Sequence, residues 1–158
     1  MTGKKLLLKA LKEKGVKYVF GYTGGTIMPI FDEMDKMGDF KFVMSRHEQG
    51  AAFMAGGYAR VAHRPSACIA TAGPGATNLI TGIANAYAER LPVLAITGET
   101  STYIFGKGGL QESSGEGGAI DQGALFASIT RYHKLIERTD YLGQVLNQTT
   151  QALLGLKP

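Results

Sequence analysis

The stretch "SACIATAGPGATN" (residues 66–78) passes from an apolar run through a glycine turn into a second pattern. Its first seven residues are small and almost continuously apolar, which is typical of a strand buried on both faces of a parallel sheet. Thr77 and Asn78 then fall in the opening turns of a helix, where backbone N–H groups can bind an anion. The stretch therefore predicts a strand, a tight turn and a helix, with the turn serving either an anion site or packing alone.

The rest of the chain repeats this alternation with short links. Apolar periodicity predicts helices at 4–14, 26–37, 46–63, 76–90 and 141–156, a helical turn at 124–129, and strands at 17–22, 40–44, 66–72, 92–98 and 131–137. Thr26 is a candidate N-cap and Gly38 a candidate stop for the second helix. Such an order predicts a doubly wound, three-layer α/β fold, a parallel sheet with helices on both faces. We expect one domain over residues 1–158, ending where this architecture would accept one more strand.

The composition is that of a globular protein, with 44% hydrophobic and 19% charged residues. The net charge of +4 comes largely from lysines near the start of the chain, at positions 4, 5, 9, 12, 14 and 17. Because no aromatic residues interleave them, we interpret them as the solvated face of a helix whose apolar side is Leu6, Leu7, Leu8 and Leu11. No nucleic-acid or membrane partner is expected. The apolar runs are also too short for a signal peptide or a membrane span.

Two further features bear on the surroundings of the protein and on its loops. Cys68 is the single cysteine, so it cannot form an internal disulfide, and a reducing cytoplasm is the expected compartment. Residues 99–121 are rich in glycine and lose all periodicity. A loop of that length in a compact domain is expected to have a function.

Four unusual segments follow predicted strands, at 21–26, 45–48, 71–78 and 99–121. In a parallel sheet of this kind, ligands bind beyond the carboxyl ends of the strands. The four segments are therefore expected to meet at one edge and form a site there.

Glu48 has two interpretations from its local sequence. Ser45-x-x-Glu48 matches a capping box, in which the glutamate reaches back to the cap and also suits the helix dipole. Alternatively, Glu48 is a functional carboxylate beside a small helix whose ridge of Ala51, Ala55, Ala59 and Ala62 indicates a close neighbour. That neighbour is another helix, from the same chain or from a second subunit.

Other site types find little support in the sequence. His47 beside a helix start is more typical of a structural, hydrogen-bonded group than of a base, and His63 and His133 lack metal-ligand spacing. The pattern of a Rossmann dinucleotide site is incomplete, because Asn78 stands where its third glycine would be. Neither a Gly-x-Ser-x-Gly nor a Walker A motif occurs.

Taken together, four segments resemble the pyrimidine-binding, N-terminal domain of thiamine-diphosphate-dependent enzymes. They are "VFGYTGG" (19–25), "RHEQGAAFMAGGYAR" (46–60), "TAGPGATNLITGIANAYAERLPVLAITGE" (71–99) and "LQE" (110–112). The resemblance is to acetolactate synthase large subunits and related 2-oxo acid decarboxylases in particular. It covers the chain from about Lys4 onward.

The resemblance implies specific roles. Glu48 is expected to donate a hydrogen bond to the pyrimidine nitrogen N1′ of thiamine diphosphate, which favours the imino tautomer that deprotonates the thiazolium carbon. Gln111 is expected to face the reacting intermediate, so these two residues are the catalytic candidates. The remaining candidate cofactor-binding residues are Tyr22, Gly24, Thr71, Pro74 and Asn78.

The resemblance also implies what lies outside this sequence. The family binds the diphosphate and Mg²⁺ through a Gly-Asp-Gly motif in another domain, and holds FAD largely in a middle domain; neither domain is recognised here. We expect the pyrimidine-binding component or fragment of a lyase or transferase that acts on a 2-oxo acid, as in branched-chain amino acid biosynthesis. It would be inactive alone and would require a diphosphate-binding domain or subunit in a homo- or hetero-oligomer.

The sequence departs from the family pattern in three places. Thr23 stands where proline is common, Leu110 where phenylalanine is usual, and segment 113–123 is longer than in typical synthases. The last two lie on the substrate side and leave the exact reaction open. Two other functions also remain open: a non-catalytic binding or regulatory module that kept the fold, and a nucleotide-binding α/β domain.

Overall fold

The computed structural model describes residues 1–155 and contains eleven regular helices and strands besides two short 3₁₀ turns. The strands are β1 (Tyr18–Gly21), β2 (Lys41–Met44), β3 (Ser66–Ala70) and β4 (Val93–Thr97). The helices are α1 (Gly3–Glu13), α2 (Met28–Met37), α3 (Glu48–Ala62), α4 (Pro74–Asn78), α5 (Ile80–Ala88), α6 (Gln122–Ala127) and α7 (Leu142–Leu154). The 3₁₀ turns are Gly25–Ile27 and Thr102–Ile104.

The four strands form one parallel sheet in the order β2-β1-β3-β4. Alternate residues of β3 enter different cores: Cys68 packs with residues of α3 and α5, whereas Ile69 packs with residues of α1 and α2. Because successive side chains of a strand point to opposite faces, the sheet is covered by helices on both sides. The predicted doubly wound, three-layer α/β fold is confirmed.

β3 is the buried centre of this sheet. All five of its residues are buried, as the continuous small-apolar run predicts. Desolvation by burial raises the pKa of the Cys68 thiol to about 12, which keeps it a neutral, small hydrophobe. β4, predicted as another buried strand, is only half-buried along its length because it lies at the edge of the described sheet.

The lysines of α1 lie on the solvent side, as predicted. Leu8 and Leu11 are buried, while Lys4 pairs with Asp32 and Glu33 on α2 at 3.1 and 3.5 Å. Exposed pairs of this kind contribute little to stability. They show that Lys4, one of the lysines near the start of the chain, has acidic partners within the protein.

Several boundaries differ from the prediction. The predicted helix 76–90 is divided into α4 and α5 at Leu79, whose N–H bonds the carbonyl of Ala76 in a tightened turn. Thr26 is not an N-cap, because its hydroxyl binds Thr71 and Ala72 in the connection from β3 to α4. Gly38 does end α2, with a left-handed φ of 65° and its N–H bonded to Met34. The last predicted helix is α7, and Leu156 lies outside the described residues.

The predicted strand at 131–137 is wrong, because the segment forms no ladder in the described structure. A strand exists only by pairing with a neighbouring backbone. Here the segment and β4 both line a groove of about 490 Å³. Whether a further strand completes this edge stays a prediction.

No helix within residues 1–155 combines the length and apolar character needed to cross a bilayer.

Candidate functional site

The carboxyl ends of β1, β2 and β3 bring three of the predicted segments together. Gly21 is in register with Met44 on one side and Ile69 on the other. Immediately beyond the strands, the N–H of Tyr22 donates to the carbonyl of Ile69 at 3.4 Å, and the N–H of Ser45 donates to that of Gly21 at 2.8 Å. Residues 22–26, 45–48 and 71–78 therefore begin side by side at one edge of the sheet.

The capping-box interpretation of Glu48 is wrong. Helix α3 is capped by His47, whose Nδ1 accepts from the N–H of Gln49 at 3.2 Å, so His47 is the structural group expected. Ser45 is turned away from the helix and donates its hydroxyl to the carbonyl of Gly21 at 3.3 Å. Because His47 caps the helix and Ser45 does not, there is no capping box, and the Glu48 side chain is available for other contacts.

The Glu48 carboxylate instead faces the start of the helix that follows β3. Asn78 donates from Nδ2 to Glu48 Oε2 at 3.0 Å, in a half-buried contact between α3 and α4. This bond fixes the orientation of the carboxyl group. Its other oxygen, Oε1, lies on the side of Gly75.

Gly75 lies close to the Thr71 side chain and to that oxygen. A Cβ built on Gly75 would lie 2.7 Å from Thr71 Cγ2 and 3.4 Å from Glu48 Oε1. The backbone of α4 can approach Thr71 this closely only because residue 75 is a glycine. The sequence predicts only that Gly75 is part of a tight turn and does not identify it as a residue of the site.

Thr71 is held in place by a second pair of hydroxyls. It is almost buried, and its Oγ1 lies 2.9 Å from Thr26 Oγ1, which in turn accepts from the N–H of Ala72 at 3.2 Å. Thr26 is thus a supporting residue that the sequence pattern assigned to the wrong role. The signal that could have identified it is its place at a strand's carboxyl end.

The other predicted cofactor residues surround Thr71 and the turn. A Cβ on Gly24 would overlap the Thr71 side chain, so glycine is needed there for close approach and not for its extended backbone. Tyr22 is 42% exposed beside this contact. Pro74 is exposed at the first position of α4, where its missing N–H costs nothing.

Gln111 lies in the long loop, residues 98–121 between β4 and α6, and contacts the Gly-Pro-Gly turn at residues 73–75. Its backbone is left-handed, with φ of 61°, and its side chain is exposed. A Cβ on Gly73 would lie 2.8 Å from the carbonyl oxygen of Gln111. The fold therefore brings all the predicted site residues to one edge of the sheet, although they come from four separate segments.

The start of α4 offers little to an anion. The helix has five residues, and the N–H of Gly73 donates to Ser113 Oγ at 3.3 Å. The N–H groups of Gly75 and Thr77 bond to Ala72 and Gly73. Because these donors are already used, the interpretation of the turn as an anion site loses its support.

The alanine ridge of α3 packs against this chain itself. Ala51, Ala55 and Ala59 are buried, and a Cβ on Gly82 of α5 would overlap Ala52. The close neighbour is therefore α5 together with the sheet. The alternative of a second subunit on the ridge is not needed.

The described residues, 1–155, contain no group of three or more His, Cys, Asp or Glu side chains arranged to hold a metal ion.

Comparison with known proteins gives a consistent result. Residues 1–120 match the family described as "Thiamine pyrophosphate enzyme, N-terminal TPP binding domain". The chain is 41% identical over 89% of its length to a probable acetolactate synthase large subunit of Methanocaldococcus jannaschii. It is 39% identical over its whole length to the acetolactate synthase isozyme 2 large subunit of Escherichia coli K12, and 37% identical to an acetolactate synthase of Arthrospira platensis.

The chain spans only about a quarter of the length of these relatives, between 22% and 27% of each. The matched region includes the Glu48 helix, the Gly-Pro-Gly turn and Gln111. The chain belongs to the N-terminal, cofactor-binding domains of the thiamine pyrophosphate enzymes.

Proposed function

We propose that this chain is the pyrimidine-binding part of a thiamine-diphosphate-dependent enzyme of the acetolactate synthase type, which decarboxylates a 2-oxo acid and joins the product to an acceptor. One observation carries the proposal: Asn78 binds Glu48 Oε2, while Glu48 Oε1, on the side of Gly75, has no hydrogen-bond partner within the described residues 1–155. The residues fit a pyrimidine, because a carboxylate with one unused oxygen can share a proton with a ring nitrogen, and it lies at the edge of the sheet where ligands of parallel sheets bind.

Each residue of the site has its own role in this proposal. Glu48 holds a proton at pyrimidine nitrogen N1′, and Asn78 keeps Oε2 occupied so that Oε1 is the oxygen available to the ring. Thr71, Gly24, Tyr22 and Pro74 line the pocket, and Gln111 faces the 2-oxo acid. Thiamine diphosphate bound there would supply a nucleophilic thiazolium carbon and a ring that serves as the electron sink for decarboxylation.

The remaining parts of the active site are proposed to come from elsewhere in the enzyme. Diphosphate and Mg²⁺ would be held by another domain or subunit, since oxygen ligands for a six-coordinate ion are not clustered in the described part of this chain. The length of the relatives, about four times that of this chain, supports such a domain. FAD binding is left to that other part, because nothing in this chain suggests it.

We also propose that another subunit covers this edge of the sheet. Large apolar side chains are exposed on the segments that form the site and on the first turns of α3, namely Tyr22, Met44, Phe53, Met54 and Leu110. Exposed apolar groups that cluster near a binding site commonly mark an interface. A homo- or hetero-oligomer would complete the active site with the diphosphate-binding part.

The decisive experiment is Glu48→Gln in the complete enzyme. Glutamine keeps the size and the contact with Asn78 but cannot exchange a proton with N1′, so turnover should fall by about 10²–10⁴-fold. Thiamine-dependent decarboxylation of a 2-oxo acid is the measurement, with circular dichroism to check the fold. Glu13→Gln, on the exposed face of α1, is the matched control and should retain full activity.

Unchanged turnover in Glu48→Gln would remove the role given to this residue. If the wild-type enzyme with all its domains shows no thiamine-dependent turnover and does not bind thiamine diphosphate in calorimetry, a non-catalytic binding module is the better description. Binding of ATP or NAD by the same titration would instead favour a nucleotide site.

A further inference from the structure

The long loop after β4 is fixed to the Gly-Pro-Gly turn by a buried polar cluster. Ser113, only 2% exposed, donates its N–H to Glu99 Oε1 at 3.0 Å and its hydroxyl to Glu99 Oε2 at 2.5 Å. The same hydroxyl oxygen accepts from the N–H of Gly73 at 3.3 Å. One side chain therefore joins the end of β4, the long loop and the turn that opens the site.

Gln122 extends this cluster to the sheet. It is buried at the start of α6, its Oε1 lies 3.1 Å from Ser113 Oγ, and its Nε2 donates to Thr97 Oγ1 at 2.8 Å. The single hydroxyl hydrogen of Ser113 serves one acceptor at a time, and the shorter, charged contact to Glu99 is the stronger one. The cluster is thus built around the Glu99–Ser113 pair.

Gln111 stands two residues before Ser113 and depends on this anchoring. Its left-handed backbone, with φ of 61°, is unfavourable for a residue other than glycine. Its main chain lies directly against Gly73, which has no room for a side chain there. A residue with an unfavourable backbone conformation keeps that conformation only when contacts with neighbouring residues hold it.

The geometry points to Glu99 and Ser113 as positioning residues that hold Gln111 against the Gly-Pro-Gly turn. This inference rests on the proposed function, in which Gln111 faces the 2-oxo acid. It also explains the long segment after Gln111, because that segment carries the serine hydroxyl and the Gln122 amide to the buried end of β4. Glu48, Asn78 and Thr71 take no part in the cluster, which meets the turn of the pyrimidine pocket at the backbone N–H of Gly73.

The test is a double-mutant cycle in the complete enzyme, with pyruvate as the 2-oxo acid probe. Ser113→Ala should lower kcat/KM by about tenfold or more, the equivalent of one lost charge-assisted hydrogen bond. Half-saturation by thiamine diphosphate should change much less than kcat/KM, because the contacts of Glu48, Asn78 and Thr71 do not involve Ser113. Adding Ser113→Ala to Gln111→Ala should cause little further loss, since the serine acts through the glutamine.

A second measurement does not depend on activity. Amide hydrogen exchange over residues 106–114 of the cofactor-free protein should accelerate in Ser113→Ala and in Glu99→Gln. Glu99→Gln removes the charge but keeps the size, so it tests the same contact if Ser113→Ala does not fold. Ser101→Ala is the matched control: that serine is exposed and makes no side-chain capping bond, and exchange should not change.

Two results would overturn the inference: additive losses in the double-mutant cycle, or unchanged exchange of the loop in both variants. Failure of the proposed function is a separate outcome, seen as no thiamine-dependent turnover in the wild-type enzyme. The exchange measurement then still decides whether Glu99 and Ser113 hold the loop.

Discussion

The absence of a side chain at residue 75 lets the backbone of α4 pack closely against Thr71, beside the Glu48 carboxylate. A Cβ there would lie 2.7 Å from Thr71 Cγ2 and 3.4 Å from Glu48 Oε1. The bond from Asn78 then decides which carboxylate oxygen stays available. The position of Gly75 and the hydrogen bond from Asn78 thus make Glu48, the first residue of α3, a candidate catalytic group.

Gly75→Ala should therefore weaken cofactor binding. Its methyl group would lie 2.7 Å from Thr71 Cγ2, and relief of that contact displaces Thr71 or shifts α4 relative to Glu48. Overpacking of this kind costs about 1–3 kcal/mol, so the half-saturating concentration of thiamine diphosphate should rise by about tenfold or more. Activity measured against cofactor concentration checks this.

The control for that substitution is Gly143→Ala. Gly143 is exposed in α7 with nothing within 4 Å of its Cβ position, so the same chemical change should leave cofactor binding as it was. Equal effects of the two substitutions would contradict the role given to the close packing of Gly75.

Among the structural elements, the long loop is ordered by a second carboxylate. Glu112 accepts from the Ser114 hydroxyl at 2.7 Å and from the N–H groups of Gly106 and Gly109. The Ser114 bond first, and then these backbone donors, hold the pKa of the carboxyl below its ordinary 4.5. The ionised Glu112 side chain thus connects residues 106, 109 and 114 of a loop that has little regular secondary structure.

This arrangement predicts a pH dependence of the loop. Because the folded pKa is depressed, the contribution of Glu112 is present above pH 4.5 and is lost as the pH falls through the lower, folded value. Cleavage of residues 104–118 by pepsin should therefore increase more steeply on acidification than cleavage elsewhere in the domain.

Glu112→Gln is the variant that isolates this effect. An amide has one acceptor oxygen and sets N–H donors against the backbone N–H groups of the loop. The loop should become sensitive to a neutral protease such as thermolysin at pH 7, and the acid-specific increase should disappear. Retention of the same pH profile in the variant would show that another group controls the loop.

For the molecule as a whole, the open question is what covers the exposed edges. Met44, at the carboxyl end of β2 beside the site, is 64% exposed. If a second subunit lies there as proposed, Met44→Glu should weaken assembly by about tenfold or more, since an unpaired carboxylate is costly to bury. Sedimentation velocity and the loss of specific activity on dilution would measure it.

Val61→Glu is the comparison for this substitution. Val61 is 81% exposed near the far end of α3, away from the site edge. It should not change assembly. A complex that tolerates both substitutions equally would place the subunit contact on another surface.

Much of the site could be predicted from the sequence, but its supporting contacts could not. Tyr22, Gly24, Thr71, Asn78 and Gln111 could be singled out because family motifs mark them individually. Their partners could not, since Thr26 was expected to cap α2, and Glu99 and Ser113 lie in a loop without periodicity. A hydrogen bond between residues distant in sequence leaves no local pattern that would reveal it.

Local sequence patterns were enough to predict the alternation of strands and helices, the burial of β3 and the grouping of the candidate residues beyond the strand ends. These follow from local periodicity and from the parallel topology that short connections impose. The three-dimensional packing was needed to establish that Glu48 binds Asn78 instead of its own helix end, that 131–137 forms no strand, and that Ser113 meets Glu99 and Gly73. In each case a polar group or a backbone had competing partners, and packing of the whole chain selected among them.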